Sequence, residues 1–495
     1  MNVVGIGRNL GRAVAGAFAV AACLLPHEAH AGWDTYIAAD GSSSGELHVV
    51  DSETGGPAGS LASLDPRPVS VAVTPGGERI FTVHFELFGA GSVGVYDNAG
   101  NALTDPIEVG NFPYGIAISP DGEQALVANA GSDSVTAIDT ETYEVETVSV
   151  GDFPQRVAYS PDGTRAFVAS LDESQIAVLN PETLEVVDEI ETGLERDSDL
   201  DVVTGLAVTP DGERLVVSGA GSKEVRIIDI ETQDTTVVSL LGYVGRPWWV
   251  GVMPDGKRAI ALIQDRPDFF SGVVVIDLER AEVETTHSFG GLWNDPALTP
   301  DGRRLFVAGA FDPDLVAYYD VEANEFHDLV SIDSASAVGV APNQAPVPDL
   351  QVPLTATAGV PVEFDASGST DDNGIAEYEF DFGDGSSADG SAAANEHTYE
   401  EPGTYEVSVT VDDAAGCEGF TYTGQVAACN GPSRVTSDPV TITIEEPLRL
   451  GLEVGLERPQ SSLRRVELST TCKRVDCDAR AFGRVRVKRP GAKPK

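Results

Sequence analysis

A four-residue turn, serine or threonine followed by proline, aspartate and glycine, recurs along the first two thirds of the chain and restricts the folds open to it more than any other feature. Its clearest copy lies in residues 151–170, GDFPQRVAYSPDGTRAFVAS, which read as an apolar strand ending at Tyr159, the turn Ser160-Pro161-Asp162-Gly163, and a second apolar strand through Phe167. Proline presets φ at the first central position and glycine accepts positive φ at the last, so the turn is specified by its own residues. Aligning the copies and near copies places prolines at 75, 120, 161, 210, 254, 300 and 342, spaced 45, 41, 49, 44, 46 and 42 residues apart.

A repeat in the forties built from four short strands is the signature of a β-propeller blade. In the third unit the expected strands are 156–159, 165–170, 175–179 and 186–191, each alternating or wholly apolar. Seven turns enclose only six complete units, and the ends supply the rest. Residues 35–38, 46–50 and 59–64 match the second, third and fourth strands of a unit, while residues 337–340 match a first strand. The fold class predicted is therefore all-β: a seven-bladed propeller over 32–342, closed by strand exchange between its N- and C-terminal ends.

The units GIAISPDGEQALVANAGSDSVTAIDTET (115–142) and RVAYSPDGTRAFVASLDESQIAVLNPET (156–183) resemble the YVTN-type propeller repeats of surface-layer and other exported proteins. The resemblance spans about residues 33–342. It implies the fold but not an activity, because propellers of this appearance include structural surface proteins, lactonase relatives and redox-enzyme scaffolds.

Residues 1–31 read as a signal peptide: Arg8 and Arg12, an apolar run over 13–25, then Ala29-His30-Ala31 as a small-x-small cleavage site. A rival reading makes Val20-Ala21-Ala22-Cys23 a lipobox with a lipid on Cys23. No later stretch is apolar for long enough to be a transmembrane helix. The formal charge of −48 disfavours nucleic acid and anionic lipid as partners. Past residue 416 stand Cys417, Cys429, Cys472 and Cys477, an even set that suggests disulfides in an exported chain. Three connectivities are open, the simplest being Cys417 with Cys429 and Cys472 with Cys477. Zinc is the alternative, with poor ligand spacing.

Propellers place their chemistry at the mouth of the central channel. The slot four residues before the Ser or Thr of the turn holds Ser70, Gly115, Arg156, Gly205, Trp249, Asp295 and Ala337, and its predecessor holds Val69, Tyr114, Gln155, Thr204, Trp248, Asn294 and Ser336. Neither ring carries histidine and only Asp295 is a carboxylate, so no metal cage or acid–base pair is expected, and no catalytic residue is assigned. Tyr114, Arg156, Trp248, Trp249, Trp293 and Asp295 instead form a candidate ligand surface, with aromatic faces beside hydrogen-bonding groups. Packing between blades is the bland alternative for the tryptophans. Asp197, Asp199 and Asp201 alternate in an acidic loop that suits either calcium or plain solvent, and the histidines are scattered without ligand spacing.

After Pro342 the rhythm stops at a proline-punctuated junction, and new marks follow: FDAS (364–367), EFDFGDG (379–385) and HTYEEPGTY (397–405). These resemble the polycystic-kidney-disease (PKD) domain, an immunoglobulin-like β-sandwich, here over 343–446. One departure is Glu379-Phe380, where the family often has a tryptophan. The resemblance implies a spacer, or a module that contacts proteins or polysaccharides, with calcium bound at one end in some members. Asn343, Ser369, Asp371 and Asp412 fall where such ligands would lie. The tail, 447–495, reverses the charge with 13 basic residues against five acids. The whole reads as an exported, non-enzymatic binding or surface protein whose partner is a cell-envelope polysaccharide or protein. The alternatives are an enzyme on the same scaffold, such as a lactonase-like hydrolase or a cofactor-dependent oxidoreductase, and a purely structural surface-layer component.

Overall fold

The computed structural model describes residues 33–447 apart from 41–43, 53–56, 88, 195–201, 244, 266–269, 292, 310–314, 373, 414–418 and 426, and leaves the side chains of 57–59, 270 and 293–295 undescribed. The expected signal peptide (1–31), the acidic loop 195–201, Cys23, Cys417, Cys472, Cys477 and the basic tail beyond residue 447 all lie outside the described residues.

The chain is all-β, with a single three-residue 3-10 turn, Ala130–Ser132, among the described residues. Seven four-stranded antiparallel sheets, the arrangement of propeller blades, precede the sandwich. The third comprises Pro154–Tyr159, Ala166–Ser170, Gln175–Leu179 and Val186–Glu191. Its first strand is buried at every residue and its last exposes five of six, a gradient that apolar first strands and charged last strands dictate. One sheet joins the two ends of this region: Ala335–Val340 pairs with Asp34–Ala39, with Thr35 opposite Val340 and Ala38 opposite Ala337, and the strands Gly45–Asp51 and Pro57–Leu64 complete it. The first strand of each sheet touches that of the next, and Ala335–Val340 touches both Trp293–Leu298 and Pro68–Val73.

Turn chemistry repeats with the sheets. In Ser160 to Gly163 the glycine N–H donates to the Ser160 carbonyl at 2.9 Å, and Gly163 takes φ +69. The Ser160 hydroxyl donates to Asp162 at 2.5 Å and accepts from Arg165 N–H at 3.0 Å, so the first residue of the turn closes it with its side chain. Across the array, a Cβ on Gly122, Gly163, Gly212, Gly256 or Gly302 would lie 2.9–3.6 Å from the proline of the preceding turn. Each turn thus rests on its neighbour, and glycine serves both the positive φ and the close approach. Between the third and fourth strands a carboxylate or amide caps a second turn, as Asp139 accepts from Thr142 N–H at 2.6 Å. That bond and its neighbours hold the Asp139 carboxyl below the usual range.

Seven apolar clusters each span two successive sheets, the last joining Tyr36 and Ala337 to Val71 and Ile80. An eighth is the sandwich core, where Phe364, Phe380, Phe382 and Tyr399 pack with Val407, Val409 and Ile442. The EFDFGDG segment works as a hairpin determinant there: Phe380 and Phe382 turn inward while Gly383 and Gly385 take positive φ. The HTY segment locks onto it, with Tyr399 Oη donating to the Phe382 carbonyl at 2.8 Å and the His397 ring stacked on Phe382 at 4.2 Å.

Candidate functional site

The first strands of all seven sheets enclose a cavity of ≈ 70 Å³, lined among others by Ser70, Gly115, Arg156, Ala207, Trp249, Leu298 and Val340. Its remaining wall comes from the sandwich, through Thr423, Gln425, Ala427 and Ala428. A strap from the second unit therefore fills one end of the channel. The N–H groups of Ile118, Tyr159 and Val208, each the last residue of a first strand, donate to the carbonyls of Gln425, Gly424 and Thr423 at 3.2, 2.5 and 3.3 Å. Tyr422 is buried among Val157, Tyr159 and Val168, and its hydroxyl donates to the Ile118 carbonyl with the Gly424 carbonyl 3.1 Å away. Burial pushes both the Tyr422 and Tyr159 phenols well above their ordinary range, so both remain neutral donors.

The base of the strap is fastened by main-chain pairing. Thr421 and Tyr422 pair with Cys429 and Ala427, and Asn343–Gln344 runs parallel to Cys429 and Asn430. Asn343 accepts from Trp33 Nε1 at 3.1 Å and donates to Asp413 Oδ2 at 3.0 Å. Gln344 donates through Nε2 to the Pro75 carbonyl at 2.9 Å and accepts from Asn430 Nδ2 at 2.8 Å. Two residues of the junction thus bind the N-terminal strand's lead, the first turn, the sandwich and the strap. The short, stiff link that its prolines suggest is also a clamp. Nearby, Asp372 accepts from Gln344 N–H at 3.1 Å, and its carboxyl is pushed up to about 7 by burial of the acid group and then by Asp371 beside it.

The expected ligand surface is placed only in part, and not at an open mouth. Trp249 is 5% exposed and packs with Met253, Ile260 and Leu262 between two sheets. Arg156 is 8% exposed, and its Nε donates to the Thr204 carbonyl at 3.3 Å. Both line the narrow cavity, where close strand approach and the strap bury them. Gly115 and Gly205 show how close that approach is: a Cβ on either would meet the next first strand, at Gln155 O (2.4 Å) and Val250 N (2.6 Å). Tyr114 and Trp248 stay half-buried near the opposite end, where the first strands begin. Phe85 stacks on Phe112 at 5.0 Å there and meets Tyr114 edge-on at 6.5 Å. Phe112 and Phe153 hold φ of 50 and 58 just before Pro113 and Pro154, so both are presented from left-handed backbone. The Trp293 and Asp295 side chains lie outside the described residues.

Three of the expected calcium ligands bond other groups, and Asp371 stands beside Asp372. Asn343 is spent on Trp33 and Asp413, Ser369 bonds the Asp349 main chain, and Asp412 bonds Arg434 at 2.6 Å. Asp412 and Asp413 alternate along Gly403–Asp413, so it is Asp413 that turns toward Asn343. Among the described residues no group of three or more His, Cys, Asp or Glu side chains is placed to hold a metal. Cys429 is buried and disulfide-bonded, with its partner outside the described residues. No helix among the described residues is long and apolar enough to cross a membrane.

In sequence the insert 417–429 reads only as a loop stapled on the sandwich, and the uncharged run FTYTGQVAA (420–428) is its one trace of a strap in the channel. Comparison with known proteins agrees with the second unit: residues 343–428 match the model of the PKD domain. Among solved structures the chain is similar to the hydrazine synthase of Kuenenia stuttgartiensis, at 23% identity over 52% of this chain and 77% of that one, with a TM-score of 0.43. It is also similar to a functionally unknown protein from Desulfotomaculum acetoxidans, at 13% identity over 63% of this chain and 99% of that one, with a TM-score of 0.48. What these comparisons establish is a PKD domain, here joined to an array of four-stranded, blade-like sheets.

Proposed function

We propose that the chain is an exported, non-enzymatic binding protein: a seven-bladed propeller closed by strand exchange, with a PKD-type sandwich fastened over one end of its channel. The observation that carries this reading is the strap. It fills the channel end next to the Ser/Thr-Pro turns and leaves the opposite end, with Phe85, Phe112, Tyr114, Phe153 and Trp248, as the contact face. Aromatic faces of this kind suit stacking on a sugar ring or gripping an apolar peptide side chain, so the partner class is cell-envelope polysaccharide or protein. The sandwich then acts as a fixed cover that orients the disc rather than as a free spacer. Calcium is not required by this reading.

The test is a glycan and cell-wall binding screen of the chain from residue 32, repeated with Trp248→Ala. Loss of about 1–3 kcal/mol of binding with unchanged melting supports an aromatic anchor. Equal affinity with reduced stability refutes the contact face, and turnover of lactones by the purified protein refutes the non-enzymatic reading.

A further inference from the structure

Ile118, Tyr159 and Val208 hold one place in the repeat, the residue before the Ser or Thr of the turn, in three successive sheets. Their N–H groups meet three consecutive carbonyls, Gln425, Gly424 and Thr423. One bent segment therefore crosses three first strands at one residue per sheet, and its three consecutive carbonyls are recognised through main-chain amides. Gly424 takes φ +101, and a Cβ there would lie 3.0 Å from Val208 N and 3.2 Å from Ala158 Cβ, so both backbone and space select glycine. Tyr422 supplies the side-chain anchor two residues before it. The same repeat place in other sheets is held by Val252, Leu298 and Val340, which line the ≈ 70 Å³ left beside the strap.

We propose that this end of the channel is a peptide-binding site for a bent, glycine-centred segment of the form Tyr-x-Gly, and that residues 419–425 are its tethered occupant. The recognition is local to the three amides, the glycine niche and the Tyr422 socket. A free peptide of the same sequence then binds wherever the strap is absent, and the intact chain excludes it.

The experiment replaces residues 420–428 by a short Gly-Ser link and measures binding of the labelled peptide GFTYTGQVAA by fluorescence polarisation. Saturable binding to the strapless protein is expected, with none to the intact chain and about tenfold weaker binding of the peptide carrying Gly424→Val, as crowding of a filled niche implies. Equal affinity of the two peptides, or no binding by a strapless protein that melts cooperatively, overturns the proposal. Should the strapless protein not fold, hydrogen exchange on the unaltered chain decides. The amides of Ile118, Tyr159 and Val208 should open together and ahead of those of Val127 and Val217, whereas exchange of all three only with global unfolding shows a permanent core element and overturns the tethered site.

Discussion

Replacing Tyr422 with alanine should weaken the seven-sheet body, although the residue belongs to the PKD-matched region. Tyr422 is 1% exposed and shares its cluster with Val157, Tyr159 and Val168 of the third sheet and Leu126 and Val135 of the second. Removing a buried aromatic side chain costs about 3–5 kcal/mol, while losing one hydroxyl hydrogen bond costs about 1 kcal/mol net. Tyr422→Phe should therefore keep most of the stability and Tyr422→Ala should lose several times as much, a large share of a typical domain's total. The readout is unusually clean. All four tryptophans, Trp33, Trp248, Trp249 and Trp293, precede the sandwich, so their fluorescence in urea reports chiefly on the sheet array, with Trp33 also sensing its bond to Asn343. A tryptophan-detected transition at lower urea for Tyr422→Ala is expected. An unshifted transition, with loss confined to amides of residues 355–445, would falsify the claim that the Tyr422 contacts stabilise the sheet array.

Other outcomes follow from the same contacts. Deleting 337–342 removes the pairing of Asp34–Ala39 with Ala335–Val340, and cooperative melting at the parent temperature would count against closure through that sheet. His84 is 1% exposed, and burial holds its imidazole below the ordinary range, with Asp65 partly opposing. Its folded value lies below its unfolded one, so its contribution is full at neutral pH and is lost as pH falls from about 6.5 through the folded value. His84→Gln should flatten that limb of a stability–pH curve, and an unchanged limb refutes the assignment. Peptide mapping by mass should find Cys417 joined to Cys429 and Cys472 to Cys477. Recovery of Cys417 linked to Cys472 would show the local pairing to be wrong.

Much of the architecture was legible because its determinants are local. Pro161 and Gly163 specify their turn wherever it sits, and alternation of apolar residues marks a strand within a few residues. Even the composite sheet could be read from the ends, since residues 35–38 and 337–340 each carry the pattern of the strand missing from the other. The candidate site was less legible. Aligning the repeats set Trp249 and Arg156 in one ring, but did not show that Trp249 packs between sheets or that Arg156 reaches the Thr204 carbonyl. Similarly, Asp412 and Asp413 are equivalent in composition, and only the pairing of Gly403–Asp413 decides which one faces Asn343.

By itself the sequence determined the period, the turn, the strand pattern and the PKD marks, because each is written in side chains acting on their near neighbours. Only the tertiary structure decided that Thr423, Gly424 and Gln425 close the channel some two to three hundred residues from Ile118, Tyr159 and Val208. The physical reason is that those bonds join main-chain amides to main-chain carbonyls, groups that almost every residue carries and that therefore leave no signature in the order of the residues.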